Sequence, residues 1–160
     1  MAAAQGRVWE EIPWPFSRDA WPAGRAFRCL SAECGGDVEI RIRAKRGLCA
    51  NCAAGVTEDF EVDGVSDIDT ISPDFVPVAD GEPVTFGALS GRSRAYTVQF
   101  DDGGRRSAVG YVVSRRPACD LLVISSEGAG ANTQAARAAI HDLLLSPEMG
   151  HWLNDQLEGR

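Results

Sequence analysis

PVTFGALSGRSRAYTVQFDDGGRRSAVGYVVSRRPACDLLVI, residues 83 to 124, is the stretch that decides the fold. Four apolar runs stand out in it: PVTFGAL, AYTVQF, SAVGYVV and ACDLLVI, the first two separated by the turn-like SGRSR. Tyr96, Val98 and Phe100 alternate with polar neighbours, which is the period of a strand with one buried face. Asp101, Asp102, Gly103 and Gly104 supply what a tight hairpin demands, since such turns need residues that tolerate positive φ. Four strands on short connections make an antiparallel meander. Cys119, opening the last of them, reads as a small buried hydrophobe.

Downstream the period changes from two to 3.6. Ala136, Ala139, Ile140, Leu143 and Leu144 mark one apolar face of a helix from Thr133 to Leu145. Ser146, Pro147 and Glu148 then supply an N-cap, a proline at the first helical position and an acid in the first turn of a second helix. Its stripe is Met149, Trp152, Leu153 and Leu157. Strands first and helices collected at the end predict an α+β domain, an antiparallel sheet covered by C-terminal helices. Its expected core is Tyr96, Val98, Phe100, Val112, Leu122, Ile124, Ile140 and Leu144. The element order over residues 85 to 146 is similar to that of Mog1/PsbP-like domains, a group made mostly of binding or assembly factors. That resemblance implies a binding role.

Upstream, Thr57 to Asp74 carries seven carboxylates, with Val62, Val65, Ile68 and Ile71 recurring between them. A helix capped by Thr57 with an acidic, solvated face is expected. The acids lack the order of an EF-hand loop. The chain opens on a Trp- and Pro-rich arm in which Trp9, Trp14 and Trp21 are interleaved with Pro13, Pro15 and Pro22. Prolines block regular ladders, so the arm is expected to lie extended across another surface with its indoles buried. A partner-binding face is the rival reading of those tryptophans.

Between arm and acidic segment, residues 26 to 55 hold four of the five cysteines. Cys29 and Cys34 form a C-x4-C pair, Cys49 and Cys52 a C-x2-C pair, and the alternating strand DVEIRIR separates them. Four thiolates in two short-spaced pairs suit a tetrahedral structural Zn(II). Two disulfides are the rival, and a redox C-x2-C the third reading. With CGG after its first pair and CANC as its second, the segment resembles a four-cysteine zinc ribbon. The expected organisation is a single domain made of an arm (1–25), a zinc-knuckle-like module (26–55) and a sheet with terminal helices (57–160).

With 23 acidic against 16 basic residues the formal charge is −7, which opposes nonspecific binding to nucleic acid or anionic lipid. The arginine pairs Arg41/Arg43, Arg92/Arg94, Arg105/Arg106 and Arg115/Arg116 are read as solvated strand ends. No apolar run is long enough for a membrane span. MAAAQGRVWEEIPWPF lacks the basic and apolar regions of a secretory signal. A cytoplasmic address is therefore expected, or a periplasmic one if a leader has been removed and the cysteines are oxidised. His141 and His151 have no serine or cysteine placed to suggest a triad, and SEGAGANT lacks the third glycine of a dinucleotide loop. No catalytic residue is assigned. The expected function is that of a non-catalytic binding or accessory protein of a bacterial complex, with a protein partner. The alternative is thiol–disulfide exchange or soft-metal delivery through Cys49 and Cys52.

Overall fold

The computed structural model describes residues 8–29, 32–48 and 51–157. Its elements are β1 (Glu10–Ile12), β2 (Arg25–Cys29), a 3-10 turn (Ala32–Cys34), β3 (Val38–Lys45), α1 (Asp59–Val65), α2 (Ile68–Ile71) and β4 (Asp74–Pro77). There follow β5 (Glu82–Phe86), β6 (Leu89–Gln99), β7 (Arg105–Ser114), β8 (Leu121–Glu127), α3 (Gln134–Leu144) and α4 (Pro147–Leu157). The eight strands form one antiparallel sheet in the order β1-β2-β3-β8-β7-β6-β4, with β5 beside the first half of β6. The α+β architecture expected from the sequence is the one observed.

The meander runs β5 to β8. Its middle hairpin turns at Asp101–Gly104, where Gly103 has φ 87° and the Gly104 N–H donates to Asp102 Oδ1 at 2.8 Å. The segment SGRSR is no turn: β6 runs straight through it, and the chain reverses instead at Gly87, with φ 62°. β8 then pairs with β3, from Glu39↔Glu127 to Lys45↔Leu121, and this places β8 inside the sheet. All of β8 is buried, because Leu122 and Ile124 face one side while Leu121 and Val123 face the other. An apolar run without alternation is what a strand covered on both faces requires.

Helices cover both faces. On the first, Phe27, Ile40, Ile42, Tyr111, Leu122 and Ile124 pack with Ile140 and Leu144 of α3 and with Met149, Leu153 and Leu157 of α4. Thr133 caps α3, its hydroxyl accepting from the Ala136 N–H at 3.1 Å. On the second face Tyr96, Val98, Ala108, Val112, Leu121 and Val123 pack with Val62 and Ile68. The expected core residues therefore divide between two clusters, and Phe100 is only partly buried. Each fully buried side chain of this size contributes roughly 1.5–3 kcal/mol.

The acidic segment differs from expectation in an informative way. The single helix expected from Thr57 breaks into α1 and α2 at Asp67, which adopts φ 72°. The Glu61 carboxylate closes the start of α1, accepting from the Thr57 and Glu58 N–H groups at 3.1 and 3.2 Å. The carboxylates at Asp59, Asp63 and Asp67 recur every four residues and meet cations of the sheet. Asp59 pairs with Arg92, Asp63 with Arg94, and Asp67 with Arg43 and Lys45. That acidic stripe is an interface within the fold.

Candidate functional site

The cysteines come first, because they carried the metal expectation. Cys29 is bonded to Cys34, with Cα atoms 6.4 Å apart, and Cys52 to Cys119, at 4.7 Å. Among the described residues no group of histidine, cysteine or carboxylate side chains is disposed to hold a metal ion. The structural zinc expected on Cys29, Cys34, Cys49 and Cys52, and the zinc-ribbon likeness with it, are thereby corrected. Cys49 lies outside the described residues.

The physical reason is the strand between the pairs. DVEIRIR does not turn back. Cys29 sits at the Val38 end of β3, and Cys52 follows the Lys45 end. Seven steps of extended chain set the two ends about 23 Å apart, whereas one zinc needs all four sulfurs within about 2.3 Å of it. At the far end, Lys45 opposes Leu121, so the chain leaving β3 runs beside the chain entering β8, and Cys52 finds Cys119 there. Cys119 is thus a cross-link, not the buried hydrophobe that was expected.

At the near end the segment from Cys34 to Asp37 packs against SEGAGANT. The Gly130 N–H donates to the Asp37 carbonyl at 3.3 Å, and a Cβ on Gly130 would stand 2.8 Å from the Gly35 backbone. Gly128, at φ 134°, has no room either, for its Cβ would fall 2.3 Å from the Asp37 carbonyl oxygen. These glycines serve a close approach of two backbones.

The part of the arm from Trp14 to Trp21 lies on the second face of the sheet. The β3 side chains Arg41 and Arg43, read from sequence as solvated, are buried there together with Lys45. Phe16, Trp14 and Trp21 cover them, with ring centroids 5.3, 5.4 and 5.8 Å from the respective cations. Arg43 is held by two carboxylates. Asp67 accepts from its Nε and Nη2 at 2.8 Å each, and Asp19 of the arm accepts from both terminal nitrogens at 3.0 Å. Burial opposes the Arg43 charge, but the bonds from Asp67 and Asp19 outweigh it and leave its pKa raised. Asp67 also accepts from Lys45 at 2.8 Å, so two cations and two carboxylates balance under the aromatic cover. Sequence reading missed this cluster. Its signal was the i, i+4, i+8 spacing of Asp59, Asp63 and Asp67 set against cations at alternate positions of β3 and β6.

A large concavity lies on the other face, a groove of about 770 Å³ between β1–β2 and the α3–α4 corner. Its floor is apolar, from Val8, Trp9, Phe27, Ala139 and Leu143, and the small Ala135 and Ala138 line the α3 wall. Trp9 is buried and donates through Nε1 to the Ala139 carbonyl at 3.2 Å, fixing β1 against α3. Glu11, Glu33, Asp142 and Glu148 form the rim. Arg25 supports one side of it, bound to Glu11 at 2.6 and 2.9 Å and to Glu148 at 3.3 Å. Hydrogen bonding from Arg25 holds the Glu11 carboxyl below its ordinary value. His141 stands 3.8 Å from Asp142 on α3, and His151 is exposed on α4. Among the described residues no helix is long and apolar enough to cross a membrane.

The fold and site define a disulfide-linked α+β protein with a helix-walled, acid-rimmed groove. No protein-family model and no curated protein matches the chain. Among solved structures it is similar to LpqN of Mycobacterium tuberculosis, which is described as involved in cell envelope biogenesis. The match has 12% identity and a TM-score of 0.41, over 88% of this chain and 90% of that one. At that distance nothing of LpqN is transferred.

Proposed function

We propose that this is a non-catalytic accessory protein of an oxidising, extracytoplasmic compartment, which holds a basic, amphipathic segment of a partner protein in the groove between β1–β2 and α3–α4. The observation that carries the reading is the groove itself, about 770 Å³ with apolar residues on its floor and four carboxylates, Glu11, Glu33, Asp142 and Glu148, in its lining. Apolar floors supply affinity and charged rims supply orientation and partner choice. The alanines of α3 leave room for a backbone to approach. Two disulfides persist in oxidising compartments and are rare in the cytosol, which sets aside the cytoplasmic address expected from the N-terminus. Cys52 is bonded to Cys119 and not to Cys49, so the C-x2-C pair is not the dithiol that the redox alternative needs.

The test is a titration of the oxidised protein with a designed leucine–lysine amphipathic peptide and with its leucine–glutamate counterpart, followed by calorimetry. Saturable binding is expected for the lysine peptide alone, weakening with added salt. Ala135→Arg, which places bulk and positive charge in the groove, is expected to weaken it at least about tenfold. Equal binding of the two peptides, or none of either, would sink the reading.

A further inference from the structure

Two arginines read from sequence as solvated strand ends, Arg92 and Arg116, come from different pairs, and the fold brings both to one concavity of about 270 Å³. It lies where the β5–β6 hairpin meets the chain from Ala54 to Thr57. Thr85 and Ser90, Cα partners across that hairpin, line it together with Thr57, and Val56, Pro83 and Val84 add apolar surface. No carboxylate belongs to the lining, in a chain whose formal charge is −7. Both cations keep unused donors. Arg92 donates through Nε to Asp59 at 2.6 Å and through Nη2 to the Gly81 carbonyl at 3.0 Å, while its Nη1 bonds to nothing among the described residues. Asp59 is shared with Arg94, 3.7 Å away, and Glu61, bonded to the Thr57 N–H, is buried at the start of α1. Arg116 is exposed and pairs with no carboxylate among the described residues. Its stem lies on Gly55, φ 78°, where a Cβ would stand 2.8 Å from Arg116 Cδ. The Cys52–Cys119 bond joins the two segments that supply Ala54–Thr57 and Arg116, so a covalent link holds the corner together.

We propose that this corner is a second binding site, for a phosphate monoester whose oxygens are held by the Arg92 and Arg116 guanidinium groups and the hydroxyls of Thr57, Thr85 and Ser90, with its ester group against Pro83 and Val84. Guanidinium donors match phosphate oxygens and make charge-assisted bonds about twice as strong as neutral ones. Each hydroxyl has a proton to donate, and the three complete the shell. A phosphate monoester carries about −1.5 to −2 charges at neutral pH, enough to engage both guanidinium groups, whereas a sulfate ester or a carboxylate brings one. At about 270 Å³ the space lies just under the range of drug-sized ligand sites, which limits the ester group to a small one.

Phenyl phosphate is the probe, titrated by calorimetry at neutral pH into the oxidised full-length protein, with phenyl sulfate and phenol as comparisons. Expected are a Kd for phenyl phosphate below about 1 mM, binding of phenyl sulfate at least about threefold weaker, and no saturable binding of phenol. Added salt should weaken the phosphate. Arg116→Gln should weaken it about tenfold by removing a charge-assisted partner, and the Tm should hold because that side chain is exposed. Arg105→Gln, which removes an exposed arginine outside this corner, should leave binding unchanged. The double variant Cys52→Ser, Cys119→Ser should weaken binding severalfold, because it frees the two segments from each other. Ala135→Arg should leave it unchanged, so this proposal and the peptide reading fail separately. Absence of saturable phenyl phosphate binding, binding indifferent to Arg116→Gln, equal losses from Arg116→Gln and Arg105→Gln, or phenyl sulfate bound as tightly as the phosphate would overturn the proposal.

Discussion

Cys52 and Cys119 are 67 residues apart in sequence, and closing so long a loop removes much of the freedom of the unfolded chain. In the chain-entropy treatment a loop of this size corresponds to about 4 kcal/mol of stability, against about 2 kcal/mol for the short Cys29–Cys34 loop. For 160 residues the entropy of unfolding is about 0.3 kcal/mol/K, so the double variant Cys52→Ser, Cys119→Ser should melt about 12 °C below the parent. Cys29→Ser, Cys34→Ser should melt about 6 °C below it by the same conversion. Double variants are needed because Cys119→Ser alone leaves Cys52 three positions from Cys49, free to form a new bond. Thermal unfolding by circular dichroism, with and without a phosphine reductant, measures both. Reductant should bring the parent down and leave a quadruple variant unmoved. A Cys52/Cys119 variant melting within about 2 °C of the parent would refute both the pairing and the loop-entropy account. So would equal losses from the two pairs.

Asp67→Ala should cost about 3–5 kcal/mol in urea unfolding, since Arg43 and Lys45 stay buried with only Asp19 to share. Asp67→Asn should cost less, because asparagine keeps the left-handed backbone at φ 72° and can still accept from both cations; equal costs for the two would show that charge alone matters there. Acidification should destabilise the fold in a defined direction. Asp19 and Asp59 are held below their ordinary 3.8, by hydrogen bonds from Arg43 and Arg92 respectively, and Glu11 below 4.5 by Arg25. A lowered folded pKa means that the unfolded chain binds more protons, so their contribution is complete above the ordinary carboxylate range and is lost as pH falls through the folded values. Urea midpoints should hold between pH 7 and about 5 and drop below about 4, and the drop should shrink in Asp19→Asn, Asp59→Asn; a drop of unchanged size would show that these carboxylates are not its source.

Local chemistry made the second half of the chain legible. Two-residue alternation at Tyr96, Val98 and Phe100, the Asp–Gly turn, and the Thr133 and Ser146–Pro147 helix starts are all decided within a few residues of where they act. They appear in the structure within a residue or two of their expected places. The arm was legible only in part: from Pro13 to Gly24 it joins no strand and its aromatic residues lie on the sheet, but Glu10–Ile12, ahead of that proline, pairs with β2 as β1. Its cover was not legible, because Trp14, Phe16 and Trp21 rest on β3 side chains more than twenty positions away.

What the sequence by itself determined was therefore the class of fold, the meander, the terminal helices and the presence of a cysteine staple. Tertiary structure alone decided how the staple is made. Once β3 pairs with β8, a straight strand holds Cys29 and Cys52 at opposite ends of the sheet, and Cys119 is delivered to Cys52 from 67 residues downstream. Spacing along the chain constrains which thiols can meet, but a strand and a hairpin of equal length give opposite answers, and only strand pairing chooses between them. The same pairing turned the arginines of β3 inward. Their charges became bearable there because Asp67 and Asp19, which no local pattern joins, are brought to one guanidinium by the fold.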